Sequence, residues 1–303
     1  MRDPRPYQIA ILALLLAYGL IRLDFDVPVR HVFLILGTAL LTQRVLTDAC
    51  GLPRFDPRSA LISGLSLCLL LRTGSPWLAV AAAVAAVASK FLIRFDGKHV
   101  FNPTNFGLVA MMALTPGAWV SPGQWGDSAL FAFLMACLGG VVVHRAWRSD
   151  VTLAFLAAHA ALLIGRALVL GDPLAIPRHQ LRSGALLLFS FFMISDPKTT
   201  PDSRAGRMLF AGLVALGAWY VQFRLFRPSG ILWSLAACSL VVPLLDRLFP
   251  ARRYAWPAEA SGPRRPEKGV FDVAQVDVRC GDARPGRGGE GRLRLLRLLR
   301  GQG

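Results

Sequence analysis

A succession of about ten apolar stretches, parted by short polar loops, constrains this chain more than any other feature. The runs lie near residues 7–21, 32–46, 59–71, 76–93, 104–114, 129–143, 151–170, 183–194, 208–223 and 231–248. A helix needs roughly 20 mostly apolar residues to cross a bilayer, although segments inside a bundle can be shorter or broken. Hydrophobic residues make up 54% of the 303 and charged residues 17%, and the mean hydropathy is +0.48. A water-soluble domain has nowhere to bury that much apolar surface. The fold class expected is therefore an all-α integral membrane protein of about ten transmembrane helices. The first run follows Arg2 and Arg5, but Leu20-Ile21-Arg22 leads into more apolar sequence rather than a polar mature domain, so it is read as a retained span.

The formal charge of +16 is placed for a membrane and not for nucleic acid. Twelve Lys/Arg follow Phe249 in a stretch rich in Gly and Pro, and the others sit mainly in short loops. With the N-terminus inside, the loops on that side carry the excess of basic residues, including Arg44, Lys90, Lys98, Arg145 and Lys198. This predicts a multi-pass protein of the inner (cytoplasmic) membrane with both termini cytoplasmic. It also predicts a membrane domain over 1–250 and a basic, disordered cytoplasmic tail over 251–303. Residues 291–300 have the alternating Arg and Leu of a segment able to lie on an anionic bilayer surface. Five scattered cysteines include no Cys-x-x-Cys pair and so offer no iron–sulfur or zinc motif.

An internal repeat is visible in outline. Ser63-Gly64 and Ser183-Gly184 open apolar runs 120 residues apart, and Phe101-Asn-Pro-Thr is echoed by Phe226-Arg-Pro-Ser 125 residues on. Ten spans divide into five plus five, and an odd number per copy inverts the second copy in the membrane.

Two polar motifs interrupt the apolar background. In Lys98-His-Val-Phe-Asn-Pro-Thr-Asn-Phe-Gly107, Pro103 biases Asn102 away from helix and Gly107 permits a neighbouring backbone to come close. Asn102, Thr104 and Asn105 thus stand at a helix opening, where amides hold an anion or a polar ring edge, or where Asn102 or Thr104 simply caps the helix. Ser195-Asp-Pro-Lys-Thr-Thr-Pro-Asp202 ends the eighth run on the same side. An interfacial carboxylate is expensive unless paired, which makes Asp196 with Lys198 a second candidate, against a capped turn with an exposed ion pair. Trp119 and Trp125 read as interfacial anchors, Asp127-Ser128 as an N-cap, Lys90, Arg166 and Asp246 as charges snorkelling from span ends, and His159 as a packing histidine.

These motifs carry a family resemblance. The segment 59–67, the Phe101–Gly107 block, Gly126-Asp-Ser128, the run from Ser183 to Pro201 and Pro243-Leu-Leu-Asp-Arg247 occur in the order found in one family of membrane proteins. That family comprises the RnfD-type component of the Rnf electron-transport complex and the NqrB-type component of the sodium-translocating NADH:quinone oxidoreductase, and the chain resembles it over about residues 5–250. The resemblance implies ten helices as two inverted five-helix repeats, other membrane or redox subunits as partners, and electron transfer coupled to movement of Na⁺ or H⁺. It also implies flavin, commonly FMN esterified to the threonine of a Ser-Gly-Ala-Thr motif between the positions matching Gly107 and Gly126. This chain departs there, with Thr115 followed by Pro-Gly, and resembles a variant branch that lacks the flavinylated motif and is found beside enediyne biosynthesis genes. Covalent FMN is not expected. The resemblance instead implies a noncovalent flavin (FMN or riboflavin) or a quinone, with Asn102, Thr104, Asn105, Asp196 and Lys198 as the residues to hold it. Two alternatives remain: a channel or transporter of the same fold without redox chemistry, and a membrane scaffold for biosynthetic partners.

Overall fold

Each of the ten apolar runs falls on a helix. A computed structural model describes residues 3–52, 54–121 and 129–254. The helices are α1 (Arg5–Arg22), α2 (Val29–Ala49), α3 (Pro57–Leu70), α4 (Pro76–Leu92), α5 (Pro103–Leu114), α6 (Ala129–Arg145), α7 (Ser149–Leu170), α8 (Ala175–Leu181), α9 (Gly184–Leu188), α10 (Arg204–Phe223), α11 (Gly230–Ser239) and α12 (Val242–Leu248). Proline at the first turn starts α1, α3, α4 and α5, where its missing N–H costs nothing. The short α8 does not correspond to any of the runs.

Two of the apolar runs are not single regular α-helices. The run 231–248 is broken between α11 and α12 by a 52° bend at the approach to Pro243. The run 183–194 is α9 continued by a π-helical turn over Phe189–Met193, in which the Ile194 amide reaches back five residues to the Phe189 carbonyl at 3.0 Å. By length and composition α2 and α7 are each sufficient to cross a bilayer, the bent α11–α12 pair together makes a third such stretch, and α3, α4, α5 and α9 with its π turn are shorter apolar helices.

Side chains are distributed as in a membrane protein. Val169, Trp77, Leu114 and Phe33 are exposed on the outer surface, whereas Arg5, Lys90, Asn102 and Asn105 are buried inside. Helices approach closely through small residues. Ala79, Ala82, Ala83 and Ala86 form the buried face of α4, and a methyl group added at Gly107 of α5 would stand 2.7 Å from the Ala82 carbonyl and 2.9 Å from the Ala86 Cβ. In the first half α1 packs on α3, α2 on α3 and α4, and α4 on α5. In the second half α6 packs on α9 and the π turn, α7 on the π turn and α10, and α10 on α11.

Two small antiparallel ribbons close the ends of helices. β1 (Leu71–Arg72) pairs with β4 (Trp119–Val120), tying the end of α3 to the loop after α5. β2 (Arg94–Phe95) pairs with β3 (Lys98–His99) across Asp96-Gly97, both at positive φ as a tight hairpin turn requires. The last described residues return to the helices: Arg253 Nη1 donates to the Asp96 carbonyl at 2.5 Å, and Arg148 lies over the Tyr254 ring at 5.2 Å. Trp125, the cap at Asp127-Ser128 and the tail from residue 255 lie outside the described residues.

Candidate functional site

The first polar motif is built by helix capping. Asn102 is the N-cap of α5: its Oδ1 accepts from the Asn105 amide at 3.0 Å, and Pro103 fixes the first helical φ. The cap leaves its Nδ2 free to reach away from the helix, where it donates to Asp196 Oδ2 at 3.3 Å and to the Met193 carbonyl at 3.4 Å. Asp196 lies in the turn after the π-helical segment, and its Oδ1 accepts from the Lys198 amide at 3.0 Å. Its main-chain carbonyl accepts from the amides of Thr199 and Thr200. The two motifs, 94 residues apart in sequence, are thus directly bonded. Burial raises the Asp196 carboxyl above its ordinary value, outweighing the charges of Lys198, Lys90 and Arg148.

These residues line a cleft of about 790 Å³ at the end of the molecule where α3 and α5 begin and α4 ends. Asn102, Thr104, Asp196 and Lys198 all line it. Asn105 does not. Its Nδ2 donates to the Leu232 carbonyl of α11 at 3.1 Å, fastening α5 to α11, and its Oδ1 is buried without a partner. Thr104 Oγ1 makes a long contact of 3.5 Å to the Ser63 carbonyl.

Several lining residues are not among those expected from sequence. Lys90, expected to snorkel, is buried: its Nζ donates to Gln43 Oε1 at 2.8 Å and to Ser59 Oγ at 3.0 Å. Gln43 and Thr47 on α2, and Ser59, Ser63 and Ser66 on α3, are spaced three or four apart, the helical signal that places them on one face. His99 arrives on the β2–β3 hairpin, whose Asp-Gly turn is the available sequence sign. Its Nδ1 is buried with no partner, and burial together with Arg94, Lys90 and Lys198 lowers the imidazole pKa. Six basic side chains, Arg5, Arg54, Lys90, Arg94, Lys98 and Lys198, line the cleft with Asp56 and Asp196; Arg5 and Lys98 are also in ion pairs with Asp3, Asp202 and Asp246, so Arg54, Lys90, Arg94 and Lys198 carry the excess. Such an excess in a low-dielectric wall attracts an anion.

Ion pairs brace the surroundings. Lys98 bridges Asp246 at 2.7 Å and Asp202 at 3.2 Å, so Asp246 is tied inward rather than snorkelling. Arg207 grips Asp150 through two nitrogens at 2.5 to 3.0 Å, and Arg5 bridges Asp3 and Asp56. Thr115, which lies between Gly107 and Gly126, accepts from the Gly117 amide at 3.1 Å.

The profile of the NQR2, RnfD, RnfE family matches residues 118–255. Over these residues, somewhat less than half of the chain, the sequence is similar to that family. Among its relatives, the D subunit of the ion-translocating oxidoreductase complex of Tolumonas auensis is 25% identical over 201 residues, 58% of each chain. The protein of the same name from Escherichia coli O1:K1 is 32% identical over 133 residues, 43% of this chain and 36% of that one. The chain therefore spans less than two thirds of the length of these relatives. The family match takes in Asp196 and Lys198 but stops short of Asn102 and Thr104, so the cleft joins a matched half to an unmatched one.

Proposed function

We propose that this chain is a membrane subunit of an Rnf-like ion-translocating oxidoreductase complex, and that its basic cleft holds a noncovalent flavin, FMN or riboflavin, or a quinone. The observation that carries the reading is the cleft itself: an excess of cations, an orphaned His99 Nδ1 and an Asn102–Asp196 pair, gathered at one end of a bundle of apolar helices. Asn102 Nδ2, His99 and the Asp196 carboxyl suit the polar edge of a ring, and Lys90, Arg94 and Lys198 suit a phosphate. A flavin or quinone bound there would accept and pass on electrons. The chain's own part is to orient the ring, exclude water and supply fixed charge.

The matching order of helix packing in α1–α5 and in α6–α11 supports two five-helix repeats, inverted because each holds an odd number of spans. The cleft opens on the side that carries Arg5, Arg54, Arg94 and Lys198, which supports the cytoplasmic placement of that face and both termini cytoplasmic. Further membrane or redox subunits are the partners this reading requires.

The test is the visible spectrum of the full-length protein purified in mild detergent, with extraction of quinone from the same sample. A flavin spectrum, released into the supernatant by acid, or quinone in the organic extract supports the proposal. A fluorescent band at full-length mass on a denaturing gel would mean covalent flavin, and a colourless preparation with an empty extract would leave a channel or scaffold instead.

A further inference from the structure

A second cleft, of about 610 Å³, lies toward the other end of α10. The first takes in Ser195 and Asp196 shortly before α10 begins, and the second takes in Gln222 near its end. Twenty residues of helix hold those ends about 30 Å apart. The clefts occupy equivalent places in the chain: Ser63, Pro103 and Thr104 line the first, and Ser183, Pro228 and Ser229 line the second.

The second cleft has cations and no counter-charge. Arg182 and Arg227 line it, with the neighbouring His179 ring, and no Asp or Glu does among the described residues. His159 enters from the middle of α7. It is only 4% exposed, its ring stacks on Phe155 at 5.4 Å, and its Nδ1 has no hydrogen-bond partner. A polar nitrogen buried without a partner is costly and calls for one. The ten-residue α11 also opens here. Ser229, at its N-cap with φ 58°, makes no side-chain cap, so no side chain answers the first amides of the helix at the cleft wall. Close in sequence to the lining residues His179 and Arg227, Leu174, Ile176, Leu225 and Phe226 are exposed apolar side chains.

We infer that this cleft binds a phosphate group, with Arg182 and Arg227 meeting its charge and His159 Nδ1 and the α11 amides donating to its oxygens. The site is separate from the basic cleft at the other end, and its failure would leave the cofactor reading untouched.

A cysteine introduced as Gln222→Cys in the full-length chain, delipidated in maltoside detergent, reports occupancy through its maleimide labelling rate, read by peptide mass. Phosphatidylglycerol and inorganic phosphate are added in separate arms. Either should slow labelling about fivefold. Protection by the lipid alone assigns a headgroup phosphodiester, and protection by inorganic phosphate alone assigns a free phosphate. His159→Phe keeps the ring stack but removes the nitrogen, and Arg227→Gln alters only an exposed side chain. Both should lose most of the protection. No protection by either probe, or protection undiminished in both variants, overturns the inference.

Discussion

Asn102 donates to the carboxylate of Asp196 at 3.3 Å while its other side-chain atom caps α5, so one amide serves two elements at once. The two roles separate by substitution. Asn102→Ala loses both, and should cost about 1–3 kcal/mol in thermal unfolding of the detergent-solubilised protein. Asn102→Asp keeps the cap but sets two carboxylates face to face, which raises their folded-state pKa and destabilises the protein above it. That variant should regain stability as pH falls from about 8 to about 5. A pH-independent loss equal to that of alanine would show that only the cap matters.

The buried Lys90 depends on Gln43 and Ser59 for hydrogen bonds. Gln43→Leu removes one of two named acceptors from a cation inside an apolar bundle and should cost about 1–3 kcal/mol. Lys90→Met added to that variant removes the charge as well, and should recover much of the loss. A double-mutant cycle on unfolding temperature measures the coupling. Strict additivity would contradict the contact.

Gly107 sits where α5 meets the Ala82 carbonyl and Ala86 of α4. Gly107→Ala forces backbone to move and should lower stability by about 1–3 kcal/mol. Gly37 on α2 has open space at the same position, so Gly37→Ala should cost nothing. Comparing melting of the two variants checks the close approach, and equal effects would refute it.

Burial and the neighbouring cations Arg94, Lys90 and Lys198 hold the His99 imidazole below its ordinary value of 6.5. The unfolded chain then takes up a proton at His99 that the folded chain refuses, so the stability present at neutral pH is lost as pH falls below about 6.5. Asp196, raised by burial, contributes with the opposite sign, favouring the folded state as pH falls. The comparison is therefore made between His99→Gln and the parent at each pH. The parent should lose thermal stability more steeply from about pH 6.5 to about 4.5, and parallel curves would place His99 in contact with water.

The helices are legible in the sequence because apolar runs bounded by proline and polar loops leave few choices, and Asn102 is legible as a cap because Asn-Pro starts a helix. The orientation of Lys90 is not, since a lysine at a helix end reaches outward or inward with the same local sequence. Asn105 belongs to the cleft by its position in the motif, but its side chain turns to the Leu232 carbonyl, a choice set by how α11 lies against α5. Pro243 is the sign of the break between α11 and α12, hidden inside a continuous apolar run. The hairpin at Asp96-Gly97 is carried by strands of two residues each, too short for alternation to register.

The π turn at Phe189–Met193 accommodates one residue more than an α-helical turn would. Each residue of an α-helix advances about 100° around the axis, so that extra residue sets the angle at which the chain leaves toward Asp196. Part of the address of the carboxylate is therefore written as chain length rather than as residue identity. Deleting a single residue there would swing the acid away from Asn102 while leaving the residue identities of both motifs unchanged.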